Sequence, residues 1–137
     1  MKRLAVIVSR GELNSVVQAA TLVMAAVASG LAVRVFFRDE AIPKITRAGA
    51  GESNLSDAYR GHEAAVRERL AAQGLADLPA LLRQIREAGD ARLYACSSSM
   101  AIWGVAEPDL LPEIDGVRGI TAFLLEDIAD ADRVLTF

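Results

Sequence analysis

The sequence predicts a single α/β domain in which helices cover a parallel, doubly wound sheet. Residues 4–8, Leu-Ala-Val-Ile-Val, form an unbroken apolar run, which is typical of a strand buried on both faces. Strand-like and helix-like segments then alternate along the chain, as they do in βαβ units. No repeat or linker divides the 137 residues, which suffice to bury one core, so we expect one domain over residues 1–137.

The first βαβ unit follows from the N-terminal third of the chain. After the strand at 4–8 and a turn at 10–12, Asn14 is a plausible N-cap for a helix rich in Ala, Val, Leu and Met. Gly30 is a typical C-terminal glycine for that helix. Residues 31–37 are β-branched and aromatic, which predicts the second, parallel strand.

The middle of the chain contains few strand signals. Pro43 and the segment 49–54 favour turns, so we predict a long, mobile loop between Arg38 and Asp57. A charged amphipathic helix is expected from Ser56 or Asp57 to Gln73. A second helix begins near Pro79, with leucine and isoleucine repeating every three to four residues.

The last third of the chain completes the predicted sheet. Residues 92–96 form the third strand, and the three serines that follow it offer N-cap hydroxyls for a short helix through Trp103. Residues 116–120 suit a short fourth strand, 121–131 a further helix, and 133–137 a closing strand.

Charge and hydropathy exclude several classes of function. A net charge of -3 offers no clustered basic surface for nucleic acid or anionic lipid. The longest apolar stretch, residues 15–35, is interrupted by polar residues, so we expect no membrane span and, without signal-peptide features, a cytoplasmic protein. The 53% hydrophobic content with only 5% aromatic residues indicates an aliphatic core and suggests a buried subunit interface.

Cys96 is the main candidate for covalent chemistry. It is the only cysteine, which excludes an intramolecular disulfide and a multi-cysteine metal site. It stands at the carboxyl end of a predicted parallel strand, where α/β sheets place ligands, and before a helix whose amides lower a thiol pKa. Ser97, Ser98, Ser99 and Met100 are therefore candidate pocket residues. The alternative that Cys96 is a small buried packing residue stays open.

Three other polar residues are candidates for the same crevice. Arg10 and Asn14 follow the first strand, and Arg38 ends the second, so all three could reach the pocket. Arg38 could hold an anionic group by charge-assisted hydrogen bonds. A surface ion pair or a helix cap explains each of them more simply. The lone histidine, His62, is expected to be solvated, and the glycines at 49–51 lack the pattern of a phosphate loop.

The runs 94–105 (YACSSSMAIWGV) and 116–124 (GVRGITAFL) resemble the DsrE/DsrF-like family, and the similarity extends over the whole chain to Phe137. The resemblance implies a three-layer α/β/α fold with a five-stranded parallel sheet of flavodoxin or Rossmann-like topology. It also implies trimers or hexamers, and a persulfide carried on Cys96 between sulfur donor and acceptor proteins. Residues 43–54 would then be a candidate lid or partner contact over Cys96.

Two hypotheses of different classes follow, together with a less favoured third. In the first, the protein is a sulfur carrier or sulfurtransferase that uses Cys96 and needs no cofactor or metal ion. In the second, it is a non-catalytic oligomeric module whose crevice binds a small ligand that Cys96 merely lines. In the third, it is a structural oligomer whose apolar helix at 15–29 packs against neighbouring subunits.

Overall fold

The computed structural model describes residues 1–137 and contains one five-stranded sheet in which every strand pair is parallel. The order across the sheet is β4-β3-β2-β1-β5. The chain thus moves outward from β1 to β4 and then returns past β1 to form β5. The strands are β1 (Arg3–Val8), β2 (Ala32–Phe37), β3 (Ala91–Cys96), β4 (Gly116–Arg118) and β5 (Arg133–Thr136).

Helices lie on both sides of this sheet, which confirms the predicted three-layer α/β/α architecture. Right-handed crossovers that move toward β4 put their helices on one face, and the crossover that returns to β5 puts its helix on the other. The helices are α1 (Leu13–Ala28), α2 (Glu63–Ala72), α3 (Leu78–Ala88), α4 (Ser97–Trp103) and α5 (Ile120–Ala122). Short 3-10 helices span Asp39–Ile45, Asp57–Tyr59 and Glu107–Asp109.

The main core lies between the sheet and the helices α1 and α3. Alternate residues of the three central strands, such as Val6, Val35 and Leu93, point to this side and are at most 2% exposed. Val23 of α1 and Leu82 of α3 close over them. The apolar α1 predicted from the sequence is therefore explained largely by burial within one chain.

The opposite face of the sheet has a thinner cover. α5 continues without a break into a π-helical turn, Phe123–Ile128, and we call residues 120–128 the C-terminal helix. Phe123 is fully buried and stacks on Phe36 of β2, with ring centroids 4.6 Å apart. A small cluster of Ala5, Phe36, Cys96 and Phe123 forms the core of this face.

Three predicted helix boundaries differ from those observed. Glu12, and not Asn14, is the N-cap of α1, and Asn14 lies within the first turn. The helix predicted from residue 56 or 57 to residue 73 is divided near Gly61, whose φ of +85° ends the 3-10 turn before α2. The helix predicted at 121–131 ends at Ile128.

The predicted long loop between Arg38 and Asp57 is wrong in its first part. Asp39–Ile45 is a 3-10 helix, and Ile42 and Ile45 are 0% exposed within the main core. Thr46 forms an antiparallel bridge with Leu110. Because Ile42 and Ile45 pack on the face opposite the Cys96 side chain, this segment does not form a lid over that thiol.

None of the helices combines the length and the apolar character that crossing a bilayer requires.

Candidate functional site

Cys96 is the last residue of β3 and the N-cap residue of α4. Its extended backbone (φ -72°, ψ 121°) lets the chain pass directly from strand to helix without a loop. Ser97, Ser98 and Ser99 then form the first turn of α4, as the sequence predicts. The candidate thiol thus stands at the carboxyl edge of a central parallel strand.

Neighbouring hydroxyls determine the acidity of this thiol. Cys96 Sγ lies 3.2 Å from Ser98 Oγ, close enough for the serine hydroxyl to donate to a thiolate. Burial raises the pKa of Cys96, but hydrogen bonds from the side chains and backbone amides of Ser98 and Ser99 outweigh it. The net pKa is therefore lower than the ordinary thiol value of 9.0.

Ser99 and Trp103 attach α4 to the segment that follows β2. Ser99 Oγ accepts a hydrogen bond of 2.8 Å from the backbone N–H of Asp39, which leaves the serine proton free for Cys96. Trp103 Nε1 donates to the carbonyl of Asp39 at 2.9 Å. Met100 is 5% exposed and belongs to the main core. Strand β3, which leads directly into α4, and the segment after β2 therefore hold α4 and its serines in position.

Solvent does not reach Cys96 in this conformation. The residue is 0% exposed, as are Phe36 and Phe123 in the same cluster. Ser97 and Ser98, in contrast, lie exposed at the surface. The thiol is chemically prepared to ionise, yet it is buried in one cluster with Phe123 of the C-terminal helix.

One arginine is adjacent to Cys96 in the sheet. Arg118 is its register partner on β4, whereas Arg38 follows the end of β2 and donates its backbone N–H to the Val8 carbonyl. Arg118 stacks over the Tyr94 ring at 4.4 Å and forms ion pairs with Glu126 and with Asp127, the latter at 3.2 Å. These pairs raise the pKa of Arg118 further, so it remains a cation.

Sequence reasoning proposed Arg38, whose side chain makes no hydrogen bond or ion pair at Cys96, and missed Arg118, Tyr94 and Phe123. The signal for Arg118 is its position at the end of a predicted strand, because neighbouring parallel strands bring their carboxyl ends together. Nothing local in the sequence indicates that Phe123 packs in the same cluster as Cys96, since this depends on which face the last crossover occupies.

The other candidates lie in different surroundings. Arg10 is exposed, and its side chain makes no hydrogen bond or ion pair. The Asn14 amide bonds to the backbone N–H and the hydroxyl of Ser56, at 2.9 and 3.1 Å, and so ties that segment to α1. His62 is exposed just before α2. Of these residues, Asn14 has a structural role in the fold.

Two charged cavities lie away from Cys96. One, of about 320 Å³, lies at the amino ends of β1 and β2 and is lined by Arg3, Arg34 and four carboxylates. The other, of about 480 Å³, contains Lys44, which is only 3% exposed and donates to Asn54 Oδ1 and, at 2.6 Å, to the Glu52 carbonyl. Burial lowers the pKa of Lys44. No cluster of three or more His, Cys, Asp or Glu side chains is suited to hold a metal ion.

Comparison with known proteins supports the resemblance noted from the sequence. The model of the DsrE/DsrF-like family matches residues 2–137. Among solved structures, the chain is similar to the protein of unknown function MTH1491 from Methanobacterium thermoautotrophicum, with a TM-score of 0.60 and 16% identity over 98% of this chain and 99% of that one. No curated protein matches the chain. At 16% identity, the structural likeness concerns the fold alone. The family match spans almost every residue, and the chain belongs to the DsrE/DsrF-like family.

Proposed function

We propose that this protein is a sulfur carrier that holds sulfur as a persulfide on Cys96 and passes it to an acceptor thiol. Membership of the DsrE/DsrF-like family supports a role related to sulfur relay. The observation that carries the proposal is the hydrogen-bonding of the only thiol by Ser98 and Ser99, which favours its ionised form.

The proposed reaction consists of two exchanges at sulfur. The Cys96 thiolate attacks the outer sulfur of a donor persulfide, which forms a Cys96 persulfide and releases the donor's thiolate. An acceptor thiolate then attacks the outer sulfur of Cys96, which regenerates the Cys96 thiolate and leaves the persulfide on the acceptor. Each step forms one S–S bond and breaks one, so no oxidant or reductant is needed.

The surroundings of Cys96 suit a carrier that must retain an anionic sulfur. Hydroxyl and amide donors at the start of α4 stabilise negative charge on sulfur in either the thiolate or the persulfide. Arg118, the register partner of Cys96 on β4, adds a cation nearby, although Glu126 and Asp127 pair with it. Because the chain has no second cysteine, the sulfur must leave to another molecule.

The proposal includes partners and a compartment. The sulfur donor and the acceptor are separate proteins with reactive thiols, and a reducing compartment such as the cytoplasm keeps those thiols free. We also propose self-association into a trimer or hexamer. Ile102 and Trp103 of α4 support it, since they are 81% and 49% exposed, a large apolar exposure for so short a helix.

Intact-protein mass spectrometry tests the proposed reaction. Wild type and Cys96→Ser are incubated with polysulfide or a persulfidated donor, desalted, and then challenged with an acceptor thiol. Wild type is expected to gain the mass of one sulfur atom and to lose it to the acceptor, whereas Cys96→Ser stays unmodified.

A folded wild type that gains no sulfur would contradict the carrier function. The full burial of Cys96 would then favour the second hypothesis, a ligand-binding module of the same fold in which the thiol is a packing group. In that case Cys96→Ser keeps its function.

A further inference from the structure

The buried position of Cys96 conflicts with any reaction that needs a second molecule at its sulfur. An attacking or accepting sulfur must come within bonding distance of Sγ, but the residue is 0% exposed. We infer that the C-terminal helix is a gate, which lifts from the sheet as a local unit, carries Phe123 away, and thereby exposes Cys96. This inference rests on the proposed function of Cys96 as a reactive thiol.

The gate is held to the sheet by one fully buried side chain, Phe123, and by the partly buried Ile128, which packs against the same cluster. Phe123 is the only residue of the C-terminal helix that is fully buried, through its stack on Phe36 and its packing in the Cys96 cluster. Five of the nine residues are exposed: Ile120, Thr121, Leu124, Leu125 and Glu126. Segments with few buried apolar contacts open locally at a lower free energy than the whole domain.

Two ion pairs fasten the middle of the gate. Arg118, on the adjacent edge strand β4, pairs with Glu126 and Asp127 of the helix. The side chain of Glu126 is 63% exposed, so solvent weakens that pair. The Asp127 side chain is 10% exposed, so its pair at 3.2 Å is better shielded and is the stronger fastening of the two.

The two ends of the gate differ in how they are fixed. Beyond its C-terminal end, the Asp132 carboxylate accepts hydrogen bonds from the backbone N–H groups of Lys2 and Arg3, at 2.7 and 2.9 Å. The other end follows Gly119, which has no side chain to pack beside Ser97. The π-helical turn between them departs from regular helical bonding, a feature frequent at functional sites. The helix is tethered to β4 through Gly119 and to β1 through Asp132, and it lifts between these two ends, which carries Phe123 out of the cluster that contains Cys96.

Alkylation of Cys96 in the folded protein tests the gate, since iodoacetamide needs only access to the thiolate. The rate is measured at urea concentrations below the unfolding transition. Because the gate is open only part of the time, we expect the alkylation rate to be slower than that of an unfolded chain. Because local opening exposes little surface, the rate should be nearly constant over low urea concentrations. A rate that rises with urea as steeply as global unfolding would overturn the gate, as would labelling as fast as in unfolded protein.

Two variants and one matched control sharpen the test. Phe123→Leu removes the ring stack and is expected to accelerate labelling about tenfold. Large-to-small core substitutions lower the stability of the packed state, and here that loss favours the open gate. Glu126→Gln, a surface change that leaves the fold intact, is expected to accelerate it about two- to fivefold. Leu82→Ala removes a core contact on the opposite face and is expected to leave labelling at low urea unchanged.

Equal acceleration by Leu82→Ala and Phe123→Leu would show that Cys96 is exposed by global unfolding, and the gate would be wrong. No acceleration by either gate variant would contradict it as well. The carrier function fails separately, because a thiol that alkylates through the gate but takes no sulfur from a donor overturns only the reaction.

Discussion

At the scale of single residues, the acidity of Cys96 results from two opposing effects. Burial favours the neutral thiol, whereas the hydroxyls and amides of Ser98 and Ser99 favour the thiolate. The second effect is larger, so the thiolate population at neutral pH exceeds that of an ordinary cysteine. Ser98 is the largest single contributor to that effect.

We predict that Ser98→Ala raises the pH midpoint of Cys96 alkylation. The wild-type midpoint should lie below 9.0, and loss of the hydroxyl should shift it upward. The rate at pH 7 should fall about three- to tenfold, because each pKa unit changes the thiolate fraction about tenfold. The measurement is the rate of iodoacetamide labelling across pH.

Ser97→Ala is the matched control for this prediction. Ser97 is adjacent in sequence but exposed, and it makes no hydrogen bond to Cys96. The pH midpoint of Cys96 alkylation in Ser97→Ala should equal that of wild type. Equal shifts in both variants would mean that a change in helix α4, and not the hydrogen bond, sets the thiol pKa.

At the scale of elements, the segment 39–54 shows why turn-forming residues mislead. Pro43, Gly49 and Gly51 indicate an exposed loop, yet a Cβ on Gly49 would stand 2.1 Å from the carbonyl oxygen of Pro43. Gly49 is therefore required by close packing of backbone on backbone. A single sequence does not distinguish this use of glycine from its use in a mobile loop.

Gly49→Ala should destabilise the domain strongly, and Gly51→Ala should not. Overpacking against an immobile backbone typically costs about 1–3 kcal/mol or more of unfolding free energy. An added Cβ on Gly51 meets nothing within 4 Å, and its φ is not positive, so this variant should stay within about 0.5 kcal/mol of wild type.

Urea denaturation of the two variants measures this difference. The two substitutions lie two positions apart in one segment, and each adds the same methyl group. Equal stabilities would indicate that Gly49 does not pack on the Pro43 backbone as described.

At the scale of the whole molecule, apolar side chains remain at the surface on two elements near Cys96. They belong to α4 and to the C-terminal helix, which expose Ile102, Trp103, Leu124 and Leu125 by about half or more. The long helix α1, which the sequence indicated as a subunit contact, directs seven of its residues into the chain's own core. An interface between copies is therefore better placed on α4 than on α1, because a contact through the C-terminal helix would hold the gate closed.

We predict that Ile102→Glu dissociates the proposed oligomer, whereas Ala25→Glu, on the exposed side of α1, does not. Ile102 is 81% exposed, so the change should leave the fold intact while placing a charge in an apolar contact. Light scattering should give a multiple of 14.6 kDa for wild type and for Ala25→Glu, but a lower mass for Ile102→Glu.

The opposite result, dissociation by Ala25→Glu alone, would return the interface to α1. A monomeric wild type would contradict self-association altogether. Circular dichroism of both variants provides the control for folding.

Much of this architecture was predictable from the sequence, because apolar runs and helical periodicity reflect burial directly. The five strands, α1, α3 and the junction at Cys96 are all found close to their predicted positions. The cover of Cys96 was not predictable, since Phe36 and Phe123 are 87 residues apart and meet only through the order of the strands. Arg118 becomes adjacent to Cys96 for the same reason.

The position of β5 beside β1 has a consequence for synthesis on the ribosome. While residues 120–137 are still being translated, β1 has no partner on its outer side, and the sheet face bearing Phe36 and Cys96 is bare. The nascent chain then presents an apolar surface and an uncovered nucleophile at the same time. When β5 and the C-terminal helix fold, they cover the apolar surface and the thiol in one event. The thiol is therefore first protected only when the domain is whole.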